Sequence, residues 1–305
     1  ILQMDFKPYF NKFEYFNKIA IGTAQFGLSY GINNQTKFNF FEKERIIHRA
    51  YDLGIHTIDT AISYGDSEKI LGQIGVSNWK TITKLPSYKD AKYEKSEWVK
   101  KEIEGSLKRL NVNHLEGVLF HNPDELKIKE NVNLYHGLKK LQEEGLLDKI
   151  GFSIYNIEQA EFLLKNFDFE ILQVPYNVFD RRFDNEEINN ELKAKKIELH
   201  ARSIFLQGLL LMALNEIPES FKFFKNLFLE WNNFLTENKT NALDACLAFA
   251  LNNKNFSKVL VGVDNINQVE EIALSVSKVK EFYFPENLSS NDINLINPQY
   301  WKKHE

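Results

Sequence analysis

Cysteine is almost missing from this chain: Cys246 is the only one in 305 residues. A lone thiol builds neither a disulfide framework nor a cysteine zinc site, so a reducing compartment is expected. Cys246 lies in the helical stretch Asn241–Asn252 (NALDACLAFALN) and reads as a small buried apolar residue. Long apolar runs are missing too. The longest, around Phe205–Leu214, spans about ten residues, against ~20 for a membrane helix. Ile1–Phe16 carries Asp5, Lys7, Lys12 and Glu14 and lacks the apolar core of a signal peptide, so a cytoplasmic location is expected. There is no excess of one charge either. Lys and Arg number 38 and Asp and Glu 42, a formal net charge of −4. That balance leaves no electrostatic footprint for DNA or RNA, though a locally basic pocket for an anionic small molecule stays possible. Finally, no Pro-rich or Gly/Ser-rich linker divides the chain, so 1–305 is expected to form one domain.

What is present is core-forming. Hydrophobic residues make up 43% of the chain and aromatics 13%. Short apolar runs recur from one end to the other: Ile19–Ala24, His56–Ala61, Thr81–Leu85, Leu115–His121, Lys149–Ile154, Ile171–Tyr176, Glu198–Ile204 and Lys258–Val263. Between them lie stretches with apolar residues at helical spacing: Phe41–Leu53, Glu94–Leu110, Leu134–Glu144, Ile157–Phe167, Glu186–Lys195 and Val269–Val279. Strands that read as continuous apolar runs and alternate with helices predict a parallel sheet covered on both faces. Eight such units predict closure into a (β/α)₈ TIM barrel, an α/β fold of roughly 250 residues plus insertions. The barrel core is expected over about 19–280, with a helical insertion over Pro218–Leu251 before strand 8 and an aromatic tail over Glu281–Glu305.

Active sites of such barrels sit at the C-terminal ends of the strands. The second run carries Asp59, with Tyr64 in the following loop; the third carries Lys84; the fourth ends in His121. Taken singly each has a plain explanation: a helix N-cap for Asp59, packing for Tyr64, a solvated strand end for Lys84, a turn histidine for His121. Taken together they form an acid–base set. Tyrosine, with a pKa near 10, is a poor acid at neutral pH unless a neighbouring ammonium favours its phenolate, and Lys84 is placed to do so. Asp59 would hold Lys84, and His121 would orient a carbonyl oxygen. The set contains no activated nucleophile and no metal cage.

The stretch Thr57–Gly72 (TIDTAISYGDSEKILG) resembles the signature of the aldo-keto reductases, including a Gly-x-Ser-Glu helix start. Lys84 in TITKLP, His121 in VLFHNPD, the segment Gly145–Ser153 and the run Gln207–Leu210 match the same family in order, so the likeness spans about Ile19 to Ile272. The resemblance implies a nicotinamide-dependent reductase of aldehydes or ketones using NADPH or NADH, with Asp59, Tyr64, Lys84 and His121 as its catalytic residues and Tyr64 as proton donor. It implies that Ser153 and Gln173 meet the nicotinamide carboxamide and that Ser203–Leu209, with Phe205, Gln207 and Gly208, wraps the pyrophosphate. Gly22 and Thr23 fall on the cofactor side of the first strand. Gly262, Val263, Asp264, Gln268 and Glu271 match the adenosine end.

Three positions depart from the pattern. Ile154 stands where the family usually has Asn, and Arg202 where many members place a tyrosine that stacks on the nicotinamide. Asp264 stands where NADPH-preferring members carry a basic residue. A carboxylate there repels a 2′-phosphate and accepts from a 2′-hydroxyl, which points toward NADH. Lys258 is a candidate to hold the phosphate instead, and an N-cap for the following helix is the other use of Asp264.

Substrate contacts are expected from Phe26, Tyr30, Asn122 and Phe179, with Tyr155 and Arg182 nearby. The stretch GTAQFGLSYGI is similar to members acting in bacterial surface-sugar pathways, which implies a sugar or nucleotide-sugar carbonyl. A small-molecule substrate is the expected partner, with neither nucleic acid nor membrane. Two other readings stay open: a Schiff-base lyase using Lys84, and a cofactor-binding sensor with slow turnover.

Overall fold

Both faces of each apolar run are covered, and the runs form parallel strands. The computed structural model describes residues 13–28, 39–89 and 92–301. The strands are β1 (Ile19–Gly22), β2 (Thr57–Asp59), β3 (Lys80–Leu85), β4 (Leu115–Phe120), β5 (Leu147–Ser153), β6 (Ile171–Pro175), β7 (Glu198–Arg202) and β8 (Phe256–Gly262). Each pairs in parallel with the next, and β8 pairs with β1, closing the barrel in chain order. This is the (β/α)₈ fold.

The helices are α1 (Phe13–Lys18), α2 (Ala24–Gly27), α3 (Phe40–Asp52), α4 (Ser67–Ile74), α5 (Lys95–Leu110), α6 (Val132–Glu143), α7 (Ile157–Asn166), α8 (Glu186–Ala194), α9 (Lys225–Glu237), α10 (Ala242–Asn252), α11 (Ile266–Ser277) and α12 (Ile293–Ile296). Helical spacing had not marked α4 as a helix. It is only eight residues long, so its buried stripe, Leu71 and Ile74, has no room to repeat. Five helices begin on an asparagine whose side chain accepts from the backbone N–H three residues on: Asn39, Asn156, Asn185, Asn241 and Asn265. Such caps contribute about 1 kcal/mol each. Asp264 is therefore not the cap of α11; the next residue is.

The main apolar core lies between the sheet and the helices. Inside the barrel the layers follow the pleat. Asp59, Lys84 and Gln173 sit near the C-terminal ends of their strands, and Ile82 and Ile171, two residues back, join Leu119 in an apolar layer beneath them. A second core is built by the insertion and the tail. There α9 supplies Phe228, Trp231 and Phe234, and Phe234 stacks on Phe284 of the tail at 4.9 Å. Cys246 is buried in this core, and burial pushes its thiol up. No helix among the described residues is long and apolar enough to cross a membrane.

Candidate active site

Pairing register brings the strand ends to one rim: Gly22 lies beside both Asp59 and Gly262, Ser153 beside Gln173, and Pro175 beside Arg202. At its centre Lys84 Nζ donates to Asp59 Oδ1 and, at 3.0 Å, to the Thr60 carbonyl. Gln173 Nε2 donates to the other Asp59 oxygen at 2.8 Å. Lys84 is 1% exposed and Asp59 4%. A buried ion pair with both partners satisfied holds its geometry, because loss of either member strands the other charge. Asp59 is thus a partner of Lys84 and not a helix cap. The Lys84 ammonium is tied to a carboxylate and does not line the cavity described below, an arrangement that disfavours a Schiff-base amine.

Tyr64 and His121 lie above this pair. Their rings are 5.7 Å apart and nearly perpendicular, and Lys84 Nζ is 5.2 Å from the Tyr64 ring centroid. Lys84 was expected to draw the Tyr64 phenol down. Instead the phenol is raised above its ordinary value, first by burial and then by the negative charge of Asp59; the cation that pulls it down is Arg202. At the phenol the carboxylate of Asp59, to which Lys84 is paired, outweighs the ammonium. His121 is pushed down to about 3, by burial first and then by Lys84 and Arg202, so its ring is neutral. Ser63 Oγ lies 3.1 Å from His121 Nδ1. With Ser63 donating, the ring proton is on Nε2. Ser63 was not anticipated from the sequence; its place one residue before Tyr64 is the signal that was there to use.

Two glycines fix the Tyr64 loop. A Cβ on Gly27 would stand 1.8 Å from the Tyr64 carbonyl oxygen, and one on Gly65 would stand 2.5 Å from the Gly27 carbonyl oxygen. Gly65 also has φ of +54°, in the left-handed region. The end of α2 and the Tyr64 loop therefore pack backbone against backbone.

A cavity of about 750 Å³ opens on the rim. Asp59, Tyr64, Gln173 and Arg202 line one part of it. Ser203, Phe205, Gln207 and Gly208 line it after β7, and Gly262, Asp264, Gln268 and Glu271 after β8. Gly22 and Thr23 line it after β1. Ser153 does not; its Oγ reaches Gln173 Oε1 at 3.5 Å. Val263 is buried in the main core instead. The loop after β7 carries Ser203, Leu206 and Gln207 at φ of 58°, 48° and 55°, followed by Gly208 at 93°. Three non-glycine residues in the left-handed region are strained; the turn is closed by Leu206 N–H donating to the Ser203 carbonyl at 2.9 Å and Gly208 N–H to the Phe205 carbonyl at 3.0 Å. The loop is held from below by Leu206, Leu209 and Leu210 in the second core and by Trp231 Nε1, which donates to the Leu210 carbonyl at 3.0 Å.

Asp264 is bound through its own N–H to Gln268 Oε1 at 2.6 Å, and burial pushes its carboxyl up. Lys258 is not near it. It lies in the first half of β8 and lines a separate cavity of about 360 Å³ with Lys80, Glu116, Lys149, Glu198 and His200. The lysine on the rim cavity is Lys278, just past α11, which sequence reading missed because it follows a helix and not a strand.

The residues expected around a substrate scatter. Phe26 is 2% exposed in the main core, and Phe179 is fully buried against Phe228 and Trp231. Both are packing residues: Phe26 faces the core from α2, and Phe179 from the segment after β6. Asn122 is exposed beside His121 and donates to Ser87 Oγ at 3.1 Å. Arg182 is paired with buried Asp180 at 2.7 Å. Tyr155 lies flat under Arg202, whose guanidinium carbon is 4.2 Å from its centroid. Tyr30 lies outside the described residues.

The family model for the aldo/keto reductase family matches residues 18–283. Aldo-keto reductase YhdN of Bacillus subtilis (strain 168) is 30% identical over 182 residues, covering 56% of this chain and 54% of that protein. The match thus spans about half the length of that relative. L-galactose dehydrogenase of Arabidopsis thaliana is 25% identical over 280 residues, covering 83% of each. Among solved structures, aldo-keto reductase AKR11C1 from Bacillus halodurans (holo form) superposes with a TM-score of 0.70 at 18% identity, over 87% of this chain and 88% of that one. At that identity the likeness is one of fold.

Proposed function

Because the chain belongs to the aldo/keto reductase family and is an NAD(P)-dependent oxidoreductase, we propose that it reduces an aldehyde or ketone with Tyr64 as the proton donor. One observation carries the reading: the buried Asp59–Lys84 pair and neutral His121 lie against Tyr64, and Asp59 and Tyr64 line the cavity. The cavity fits a nicotinamide dinucleotide. Its volume is within the roughly 300–1,000 Å³ of ligand sites. The strained loop of Ser203–Gly208 lines the cavity beside the strand ends at Gly22 and Gly262, and the Gln25 amide, which also lines it, takes the space a Cβ at 262 would need. Gln173, Arg202, Ser203, Phe205, Gln207 and Gly208 would hold the nicotinamide and pyrophosphate, and Asp264, Gln268, Glu271 and Lys278 the adenosine end.

Bound there, the reduced cofactor supplies the hydride. The chain supplies the rest. His121 Nε2–H donates to the carbonyl oxygen and orients it. Tyr64 O–H then donates its proton to that oxygen as the carbonyl carbon is reduced, leaving an alcohol. Burial keeps Tyr64 protonated through neutral pH, and Arg202 offers positive charge to the developing phenolate. The substrate we propose is a sugar or a related small carbonyl compound, supported by the likeness to L-galactose dehydrogenase. Asp264 favours NADH and Lys278 a 2′-phosphate; the carboxylate stands on the loop directly after β8, and we take NADH as the better cofactor.

The test is Tyr64→Phe. Carbonyl reduction should fall about 10²–10⁴-fold, the usual value of general acid catalysis, with cofactor affinity within twofold of wild type. Turnover within tenfold of wild type would remove Tyr64 from the role.

A further inference from the structure

At the catalytic end of the cavity Arg202 is a cation whose charge no carboxylate among the described residues cancels; Lys278 lines the cavity beyond α11, at the end that bears Asp264 and Glu271. Among the described residues Arg202 makes no ion pair with a carboxylate. Its Nη2 donates to the Ile154 carbonyl at 2.9 Å, its Nη1 reaches Ser203 Oγ only at 3.4 Å, and its buried Nε has no partner. The nearby carboxylate, Asp59, is committed to Lys84 and Gln173. The Asp59–Lys84 pair sums to zero, which leaves the catalytic end of the cavity with one net positive charge. That charge reaches the chemistry: Arg202 lines the cavity with Tyr64, and both Tyr64 and His121 feel it.

Carbonyl reduction fixes what else must be there. A bound nicotinamide would supply hydride to the carbon of the carbonyl whose oxygen takes the Tyr64 proton, so its ring would lie at the end of the cavity that Tyr64 and Arg202 line, in the field of Arg202. The oxidised ring carries a positive charge that the reduced ring lacks. In a cavity wall of low effective dielectric, like charges a few ångströms apart repel strongly enough to change affinity tenfold or more.

We propose that Arg202 makes this cavity discriminate between the two redox forms of the cofactor, favouring the reduced form and expelling the oxidised one after turnover. This rests on the reading of the cavity as a nicotinamide site. It gives Arg202 a role that a neutral side chain cannot fill.

Equilibrium titration tests it without any turnover. Dissociation constants for NADH, NAD⁺, NADPH and NADP⁺ would be measured by quenching of tryptophan fluorescence. Wild type should bind each reduced form at least tenfold more tightly than its oxidised partner. Arg202→Gln and Arg202→Met should bring the two within about threefold, mainly by tightening the oxidised form, and Arg202→Lys should keep the wild-type ratio. A ratio unchanged in both neutral variants overturns the inference, as does equal weakening of both forms, which marks a purely structural contact. Wild type that binds no form defeats the cofactor reading itself, and this inference with it.

Discussion

At the scale of single residues, environment sets protonation. His121 titrates near 6.5 when unfolded and at about 3 in the folded chain. A depressed folded value means stability is fully present above pH 6.5 and drains away as pH falls toward 3. His121→Gln should therefore flatten part of the fall in Tm between pH 6.5 and 4. Each kcal/mol restored would read as roughly 2–4 °C. An acid limb of the same slope in both proteins, followed by circular dichroism, would exclude His121 as its source. Asp59, Tyr64, Lys84 and His121 could all be picked out in the sequence, since each ends an apolar run or follows one closely. What could not be picked out was which charge dominates which neighbour. Lys84 and Arg202 are both cations on the rim, but only one of them has its charge cancelled, and that depends on where Asp59 points.

At the scale of elements, the site is held by contacts between segments far apart in sequence. Glu68 on α4 is 1% exposed and accepts from Thr83 Oγ on β3 at 2.6 Å, Ser106 Oγ on α5 at 2.6 Å and Arg109 Nε at 2.7 Å. It ties the helix after the Tyr64 loop to the strand bearing Lys84. Glu68→Ala should cost about 1–3 kcal/mol by leaving these donors unsatisfied, read as a lower midpoint in urea unfolding. A midpoint equal to wild type would show that water replaces the carboxylate. Gly27→Ala should act on function more than on stability. The added methyl must push back the Tyr64 carbonyl, so kcat should drop at least tenfold while cofactor affinity changes little. Retained kcat would mean that the loop gives way without moving the phenol. The eight strands and most helices were legible because burial on both faces leaves long apolar runs, and helices leave a stripe. The short α4 left no repeating stripe, and only the Gly-x-Ser-Glu start of the family likeness marked it; the fate of Phe26 and Phe179 was not legible, because an aromatic residue just past a strand looks the same whether it faces a cavity or a core.

At the scale of the whole molecule, the insertion and the tail support the cavity. Phe282 and Phe284 pack on Phe234, Trp301 packs on Phe221, and this second core carries Leu206, Leu209 and Leu210 of the loop after β7. That loop is strained, and strain persists only where packing pays for it elsewhere. Ending the chain at Lys280 should leave the barrel's circular dichroism near that of wild type but weaken NADH binding at least tenfold. Unaltered binding would mean that the loop keeps its shape without the tail.

By itself the sequence determined the alternation of strand and helix, the number of strands, and which polar residues stand at strand ends, because these are local matters of hydrophobic period and position. Tertiary structure alone decided that Lys84 is neutralised and Arg202 is not, that Lys258 and Asp264 fall in different cavities, and that Asn265 caps α11 in place of Asp264. Closing the barrel brings residues from eight strands to two opposite rims. Which charges meet there depends on register and side-chain direction, which hydrophobic period does not encode.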